Sequence, residues 1–448
     1  MSQDKITIQV NGVEVEARPG QMLIEVTDAV GAYVPRFCYH PKLTIAANCR
    51  MCLVEVEKAP KPLPACATPV AEGMKVFTKS PKAIAAQKAV MEFLLINHPL
   101  DCPICDQGGE CELQDLAVGF GRDVSRYSER KRVVKDQSLG PLVSTDMTRC
   151  IHCTRCVRFG QDVAGIQELG TTGRGENTLI GTFIERSIDH ELSGNIIDLC
   201  PVGALNSKPF RFHARAWEMT QHPLVSPHDG FGTQLYGHVL RGRLMRVVPR
   251  PCEEVNETWI ADRDRYSYEG LYSADRLEAP QLRHADGSWH EAGWEDALAA
   301  VAKGLAAAKQ RGGAQSLGFL AHPSSTTEEH YLLGRIASGM GSANVDHRLR
   351  RRDFRGQAGE AAAPSLGMPL AEVDALDAVF IVGSNLRAEL PMLAHRVRKA
   401  ARRGARVSLI NPAAFPLLFP VANALLAAPA QMARELAAVL AAALEAAG

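Results

Sequence analysis

Cysteine crowding is the sequence feature that most constrains this chain. Eleven of the 12 cysteines lie at or before Cys200, and only Cys252 follows them. The first residues lack the charged start and apolar run of a signal peptide, so we expect a reducing compartment. In such a compartment, cysteines at short fixed spacings are more often metal ligands or redox groups than disulfides. The cysteines therefore predict metal or redox centres in the first half of the chain.

Length and charge exclude several classes of protein. The 448 residues suggest roughly two to four domains, and 46% hydrophobic content supports sizeable cores. The 50 basic and 50 acidic side chains cancel, which argues against general nucleic-acid binding. No segment approaches the ~18 uninterrupted apolar residues of a transmembrane helix, so we expect no membrane span.

The first cysteine group consists of Cys38, Cys49, Cys52 and Cys66. Four thiolates suit a [2Fe–2S] cluster, because each iron needs two terminal thiolates besides its bridging sulfides. The gap between Cys38 and Cys49 is longer than in the plant-type C-x4-C-x2-C spacing. A structural zinc ion, which also takes four cysteines, is the alternative.

The second cysteine group consists of Cys102, Cys105 and Cys111, with His98 just before them. Three thiols at this spacing can hold one metal centre, and the open question is its fourth ligand. Imidazole ligates both iron–sulfur clusters and zinc. From spacing alone, ligation by His98 and a structural role at a helix end are equally supported, and Asp106 is a weaker candidate ligand.

The third cysteine group is Cys150-x2-Cys153-x2-Cys156 with a distant Cys200-Pro201. This is the ferredoxin-type arrangement for a [4Fe–4S] cluster. Gly160 occupies the position where two-cluster ferredoxins carry a further cysteine, so we expect one cluster here. Three arginines lie near these cysteines in the sequence; they are Arg149, Arg155 and Arg158. One interpretation is that their charge favours the reduced, more negative cluster, and the other is that they are solvated side chains at the surface.

Secondary-structure signals place these groups in separate modules. Alternating runs at 6–10 and 13–17, joined by Asn11-Gly12, predict a β-hairpin. We also expect helices at 22–32 and 82–97, a strand at 51–56, and a loop at the glycine-rich 170–175. Beyond Trp217, strands at 316–320, 378–384 and 406–410 alternate with helices at 294–309 and 392–403, which predicts a parallel α/β sheet.

Three iron–sulfur signatures in this order resemble one family closely. The stretches are FCYHPKL with NCRMCLVEVE, then NHPLDCPICDQGGECELQD, then TRCIHCTRCVRF with DLCPVGAL. They resemble the large iron–sulfur subunit of NADH:quinone oxidoreductase, respiratory complex I. The resemblance covers about the first 210 residues, and the remainder is similar to the start of a molybdopterin-oxidoreductase domain.

The resemblance implies a multidomain α+β and α/β chain. Its modules are a β-grasp [2Fe–2S] ferredoxin domain at 1–80, a one-His three-Cys [4Fe–4S] module at 81–120, a ferredoxin-like [4Fe–4S] module at 140–215, and a molybdopterin-oxidoreductase-like domain without molybdenum at 216–448. The last domain is short for the family, which suggests a C-terminally truncated chain. It implies one [2Fe–2S] cluster on the first group and a [4Fe–4S] cluster on each of the other two, with His98 as a ligand of the second.

Some family members carry an additional [4Fe–4S] cluster at the start of the last domain. The four corresponding positions here hold no cysteine; they are Ser226, Asp229, Thr233 and Ala261. Cys252 falls elsewhere, and a free, partly buried cysteine is its default interpretation. We therefore expect no fourth cluster.

The function implied is that of an electron-carrying subunit of a proton-translocating oxidoreductase, with neither the NADH site nor the quinone site. Electrons would enter from a flavin subunit and leave through another iron–sulfur subunit. The resemblance implies a peripheral position on the cytoplasmic side of a bacterial inner membrane, or on the matrix side in mitochondria. The alternatives are a subunit of an NAD-linked formate dehydrogenase or iron hydrogenase, and a zinc-stabilised scaffold.

Overall fold

The computed structural model describes residues 5–348, 357–359 and 365–447. The chain divides into two compact units. The first unit comprises residues 1–225, 231–266 and 370–448, and it contains all the cysteines. The second comprises residues 226–230 and 267–369. Among the described residues, no helix has the length and apolar character needed to cross a membrane.

The N-terminal module is a five-stranded sheet packed on one helix. Its elements are β1 (Ile6–Val10), β2 (Val13–Ala17), α1 (Leu23–Ala29), β3 (Leu53–Val56), β4 (Leu63–Pro64) and β5 (Lys75–Phe77). The strand order is β2-β1-β5-β3-β4, with β1 antiparallel to β2 and parallel to β5, which is the β-grasp arrangement. Asn11 and Gly12 both adopt positive φ, as a type I′ turn requires, so the hairpin prediction is confirmed.

Two helices flank the second cysteine group; they are α2 (Pro81–Leu95) and α3 (Glu112–Phe120). Helix α2 begins where the hydroxyl of Ser80 accepts a hydrogen bond from the Ala83 amide, with Pro81 in the first turn. It ends two residues earlier than expected, and the ammonium of Lys131 donates to the carbonyls of Leu95 and Ile96 at this end. His98 therefore lies in the loop after the helix.

Short elements surround the third cysteine group. They are β6 (Val143–Thr145), α4 (Arg155–Phe159), β7 (Leu169–Thr172), β8 (Leu179–Thr182), α5 (Asn195–Leu199) and β9 (Leu205–Ser207). Strand β6 pairs with β9, and β7 pairs with β8 in an antiparallel hairpin. The expected loop at 170–175 is thus partly wrong, because residues 170–172 belong to β7. A glycine-rich strand this short has little side-chain pattern to reveal it.

An antiparallel sheet of three strands follows, formed by β10 (Thr220–Val225), β11 (Gln234–Leu240) and β12 (Arg243–Pro249), and then α6 (Asp262–Tyr266). The second unit contains β13 (Gln281–Arg283), β14 (Trp289–Glu291), α7 (Trp294–Gly312), β15 (Phe319–Leu320), α8 (Thr327–Gly339) and β16 (Val345–Asp346). Strands β15 and β16 pair in parallel. The strand expected at 316–320 is reduced to its last two residues.

The C-terminal part of the first unit is a parallel sheet with helices. It comprises β17 (Ala378–Val382), α9 (Leu386–Glu389), α10 (Pro391–Arg402), β18 (Arg406–Asn411), β19 (Asn423–Leu426) and α11 (Pro429–Ala447). The strands are ordered β17-β18-β19, all parallel. The predicted parallel α/β pattern is present, but its strands form two separate sheets, β15–β16 and β17–β19.

Candidate metal-cluster sites

The first cysteine group lies in the connecting segments of the β-grasp module. Cys38, Cys49 and Cys52 lie between α1 and β3, and Cys66 lies in a short turn after β4; all four are buried. The thiol of Cys38 is within hydrogen-bonding reach of Cys49 and Cys66, and these bonds lower its pKa. The thiol of Cys52 is within the same reach of Cys66. The structure therefore brings the four thiols of the predicted [2Fe–2S] site together.

The backbone around this group is held in an uncommon conformation. Ala47 and Arg50 both adopt left-handed φ values, 52° and 59°, although neither is glycine. Such conformations cost of order 1–3 kcal/mol and concentrate at functional sites. The amide of Cys38 points at the sulfur of Cys49, with an N to Sγ distance of 3.4 Å. Turns of this kind direct amides toward thiolates, as a negatively charged centre requires.

The second group is more open than the first. Cys105 and Cys111 are buried, whereas Cys102 is exposed. Burial raises the pKa values of Cys105 and Cys111, and the neighbouring thiols raise them further. The structure thus places the three thiols close enough to interact. One carboxylate oxygen of Asp106, the weaker candidate ligand, accepts a hydrogen bond from the amide of Phe212 at 2.9 Å.

His98 is half-buried in the loop after α2, and its Nδ1 atom is buried without a hydrogen-bond partner among the described residues. Burial, together with the charges of Lys131 and Arg149, lowers the pKa of the imidazole to about 4. The ring is therefore neutral at neutral pH, the form that binds metals. An unpaired nitrogen in a buried position is costly unless an acceptor or metal is supplied from outside the polypeptide.

The third group surrounds a single cavity. The four cysteines line it together with apolar side chains; the lining includes Cys150, Cys153, Cys156, Cys200, Met147, Ile151, Ile180, Val202 and Leu205. Burial raises the pKa values of Cys150, Cys153 and Cys200 to about 12, and neighbouring thiols contribute. Four thiols around an apolar cavity fit a [4Fe–4S] cluster, whose irons supply the positive charge that favours thiolates.

The loop of the third group also shows left-handed residues. His152 and Thr154 have φ values of 54° and 60° and lie between successive cysteines. The amide of His152 approaches the sulfur of Cys150 at 3.4 Å. The same kind of backbone as at Arg50 thus recurs at a second predicted cluster site.

The loops of the three groups contact each other. The thiol of Cys111 lies 3.7 Å from the carbonyl oxygen of Pro201, which follows Cys200. The side-chain amide of Asn48 donates to the carbonyl of His152 at 2.9 Å, which joins the first and third groups. A cavity of about 740 Å³ is lined by a predicted ligand of each group; they are Cys49, His98 and Cys150.

Three buried arginines lie between the groups. Arg149, Arg155 and Arg158 are 3%, 5% and 6% exposed, so the interpretation as solvated surface side chains is wrong. Arg158 donates from Nη2 to the carbonyls of Cys38 at 2.5 Å and Cys153 at 3.0 Å. Arg149 donates from Nη1 to the carbonyl of Gly203, and its Nε pairs with Asp101. Sequence reasoning missed these contacts; the one available signal was an arginine directly before a cysteine, which applies to Arg149 and Arg155 but not to Arg158.

The four positions that carry an additional cluster in some family members hold serine, aspartate, threonine and alanine in this chain. Thr233 and Ala261 are buried in the first unit, and Ser226 is buried in the second. Cys252 is half-buried and forms an isolated bridge with Glu257, with both backbone N to O distances 2.7 Å. Residues 225–269 contain only this one cysteine and cannot supply four thiolates.

Within the residues that the structure describes, no three His, Cys, Asp or Glu side chains converge at the spacing of a single metal ion.

Five family models match the chain in succession. Residues 3–81 match a 2Fe-2S iron-sulfur cluster binding domain, residues 87–126 the NADH-ubiquinone oxidoreductase-G iron-sulfur binding region, and residues 140–206 the ferredoxin-like domain of NADH-quinone oxidoreductase subunit 3. Residues 225–269 match the NDSU1/NuoG-like 4Fe-4S domain of NADH-ubiquinone oxidoreductase, and residues 276–442 molybdopterin oxidoreductase. The expected fold class is confirmed, with ferredoxin, cluster-binding and molybdopterin-oxidoreductase-like domains in that order.

Curated relatives carry matching names. The chain is 42% identical to the NADH-ubiquinone oxidoreductase 75 kDa subunit of Reclinomonas americana, over 89% of this chain and 59% of that protein. It is 44% identical to the mitochondrial NADH dehydrogenase (ubiquinone) iron-sulfur protein 1 of Solanum tuberosum, over 92% of this chain and 55% of that protein. A crystal structure of an NAD+-reducing [NiFe]-hydrogenase in the H2-reduced state is 30% identical over 47% of this chain and 90% of that one, with a TM-score of 0.44.

The chain spans 55–59% of the length of these two curated relatives. The first relative and three of the matching family models carry the name of NADH-quinone or NADH-ubiquinone oxidoreductase. The second relative is named as an iron–sulfur protein of the ubiquinone-linked NADH dehydrogenase. This agreement bears out the resemblance seen in the cysteine motifs. Over about nine tenths of its length, the chain is similar to the large iron–sulfur subunit, the 75 kDa type, of NADH-quinone oxidoreductase.

Proposed function

We propose that this chain is the electron-transfer iron–sulfur subunit of a proton-translocating NADH:quinone oxidoreductase. It is a subunit of an oxidoreductase, and it relays electrons from the flavin subunit toward quinone without containing the NADH site or the quinone site. The observation that carries the proposal is the direct contact between the loops of three cysteine groups within one compact unit. Electron tunnelling weakens steeply with distance, so a relay needs its centres close together.

The proposal assigns one cluster to each group. Cys38, Cys49, Cys52 and Cys66 hold a [2Fe–2S] cluster; His98, Cys102, Cys105 and Cys111 hold a [4Fe–4S] cluster; Cys150, Cys153, Cys156 and Cys200 hold another. No molybdenum and no fourth cluster are expected. When bound, such clusters supply reversible one-electron transfer, and the protein sets their potentials through ligands, hydrogen bonds and burial.

The residues of this chain contribute position, burial and charge. Nine of the twelve proposed ligands are buried, His98 and Cys150 are half-buried, and Cys102 is exposed. Low solvent access protects a cluster and strengthens nearby electrostatic interactions. The buried guanidinium groups place positive charge between the loops, where added electrons place negative charge.

The partners follow from the same proposal. They are the flavin-containing, NADH-oxidising subunit and further iron–sulfur subunits of complex I, in a hetero-oligomer. The proposed location is peripheral, on the cytoplasmic side of a bacterial inner membrane or on the matrix side of the mitochondrial inner membrane.

The alternative of a formate dehydrogenase or iron hydrogenase subunit is not favoured. The curated relatives are named as parts of NADH-ubiquinone oxidoreductase and of the ubiquinone-linked NADH dehydrogenase. The zinc scaffold is distinguished by colour and metal content, because an iron–sulfur protein is brown and bleaches on reduction.

The experiment substitutes Cys200 by Ser in the full-length subunit within the purified complex. We expect NADH:quinone reduction to be lost, while reduction of an artificial acceptor at the flavin subunit continues. The matched control is Cys252→Ser, which removes the one cysteine outside the three groups and should leave both activities unchanged. Quinone reduction that survives in Cys200→Ser would contradict the relay.

A further inference from the structure

Arg155 occupies the junction of the three cysteine groups. Its Nη1 and Nη2 atoms form a bidentate pair with Glu112, at 2.7 Å and 3.0 Å. Nη2 also donates to the carbonyl of Tyr39 at 3.2 Å, and Nη1 to the carbonyl of Leu199 at 3.4 Å.

Each of these partners is the direct neighbour of a proposed ligand from a different group. Tyr39 follows Cys38, Glu112 follows Cys111, and Leu199 precedes Cys200. Arg155 itself directly precedes Cys156. One planar guanidinium therefore ties together the loops of all three proposed clusters, a geometry that the compact ammonium of lysine cannot reproduce.

The Nε atom of Arg155 is buried and has no hydrogen-bond partner among the described residues. A guanidinium has five N–H donors, and an unpaired buried donor is costly. The described polypeptide supplies no acceptor for it. A cluster sulfur is an acceptor of the kind that this N–H group requires, and hydrogen bonds to sulfur raise a cluster's potential.

Water screens the two charges of the Arg155–Glu112 pair unequally. The side chain of Arg155 is 6% exposed, whereas that of Glu112 is 43% exposed. Screening by water weakens the field of the carboxylate more than that of the guanidinium. The pair therefore acts on the buried third group as a net positive charge.

We propose that Arg155 is a positioning residue of the relay: it fixes the three cluster loops relative to each other, and its charge favours the reduced state of the centre held by Cys150, Cys153, Cys156 and Cys200. This inference rests on the proposed function. The inference adds to the relay a residue that is not a cluster ligand but that influences the midpoint potential of the third-group centre.

The test is a redox titration followed by EPR on the full-length subunit, purified without oxygen, as wild type, Arg155→Gln and Glu112→Gln. In Arg155→Gln we expect the ratio of reduced to oxidised third-group centre at a fixed potential to fall about tenfold, a shift of about 59 mV to lower potential. In Glu112→Gln, which leaves the guanidinium without its counter-charge, we expect a shift of opposite sign. A purely structural role predicts no such opposition.

Matched controls come from a pair of the same type whose arginine is exposed. Arg126 and Glu92 also form a bidentate contact, and Arg126 is 69% exposed. Arg126→Gln and Glu92→Gln should leave the potential unchanged. Arg155→Lys, which keeps the charge, should lie closer to wild type than Arg155→Gln.

The outcomes separate the inference from the function on which it rests. A wild-type chain without iron–sulfur signals would refute the proposed function. Wild-type signals with equal potentials in wild type, Arg155→Gln and Glu112→Gln would overturn the role of Arg155 alone. If Arg155→Gln loses the centre, Glu112→Gln decides: a shift to higher potential supports the inference, and no shift or a lower potential overturns it.

Discussion

Gly203 lies so close to the sulfur of Cys105 that a Cβ atom at this position would overlap it. Gly203 is three residues after Cys200 in the third group, and Cys105 belongs to the second. The two predicted centres are therefore packed against each other at a point where only glycine fits. Nothing in the sequence marked this glycine, because the contact joins segments about a hundred residues apart in the chain.

Gly203→Ala should disrupt the second centre. The added methyl group forces the Cys105 sulfur to rotate away, and a sulfur held by a cluster cannot do so without leaving it. We expect about four fewer iron atoms per chain and a destabilisation of about 1–3 kcal/mol, as for other overpacked sites. Iron analysis and urea-induced unfolding measure the two effects.

The control for this substitution is Gly119→Ala. Gly119 lies in α3, close to the second group, and a Cβ there meets nothing within 4 Å. Alanine is the better helix former, so this variant should keep its iron and gain roughly 0.5–1 kcal/mol. Full iron content in Gly203→Ala would show that the close packing of Cys105 is not required.

His98→Cys should change the second centre without removing it. Replacing a neutral imidazole by a thiolate makes the centre more negative, so its midpoint potential should fall in a redox-titrated EPR experiment. The control is His152→Asn. His152 is also a half-buried histidine, and asparagine tolerates the left-handed backbone at this position. An unchanged spectrum and midpoint in His98→Cys would exclude His98 as a ligand.

The sequence predicted the features that depend on local pattern. Asn11-Gly12 specified the first hairpin, and the cysteine spacings marked the residues that line the third cavity. The buried arginines could not be predicted, because a single arginine beside a cysteine carries no periodicity and its burial depends on carbonyls from distant loops. The left-handed backbone at Arg50 and His152 could not be predicted for a similar reason, since only glycine, and to a lesser degree asparagine or aspartate, indicates such a conformation in a sequence.

Glu168 should make stability depend on pH. Burial raises its pKa to about 7, its Oε2 atom has no hydrogen-bond partner among the described residues, and His190 faces it with an Nε2 to Oε2 distance of 3.6 Å. Burial lowers the pKa of His190 to about 4, so the imidazole is neutral above that pH. Between about pH 4.3 and pH 7, the folded chain thus retains a proton on Glu168 that the unfolded chain has released.

The sign follows from this difference in bound protons. Because the folded state binds more protons on Glu168, its contribution to stability falls as pH rises from about 4.3 to about 7 and is constant above that range. Glu168→Gln removes the cost of ionising this carboxyl group in the folded state. The free energy of unfolding of the variant, relative to that of the wild type, should therefore increase by about 1 kcal/mol from about pH 5 to about pH 8, a value that allows for solvent screening of the partly exposed site.

Urea-induced unfolding of wild type and Glu168→Gln at these two pH values measures the change. An equal difference in unfolding free energy at both would contradict the raised pKa of Glu168. The control is Glu16→Gln, which removes one carboxylate at an exposed site in β2.

Three iron–sulfur centres in one chain are the foundation of the proposed relay. The determination of iron, acid-labile sulfide and zinc on the full-length chain purified without oxygen, together with redox-titrated EPR, tests for them. We predict about ten irons and about ten sulfides per chain, distributed over one [2Fe–2S] and two [4Fe–4S] centres. A colourless protein with stoichiometric zinc and no sulfide would contradict the proposal, and about fourteen irons would reveal a fourth cluster that it excludes.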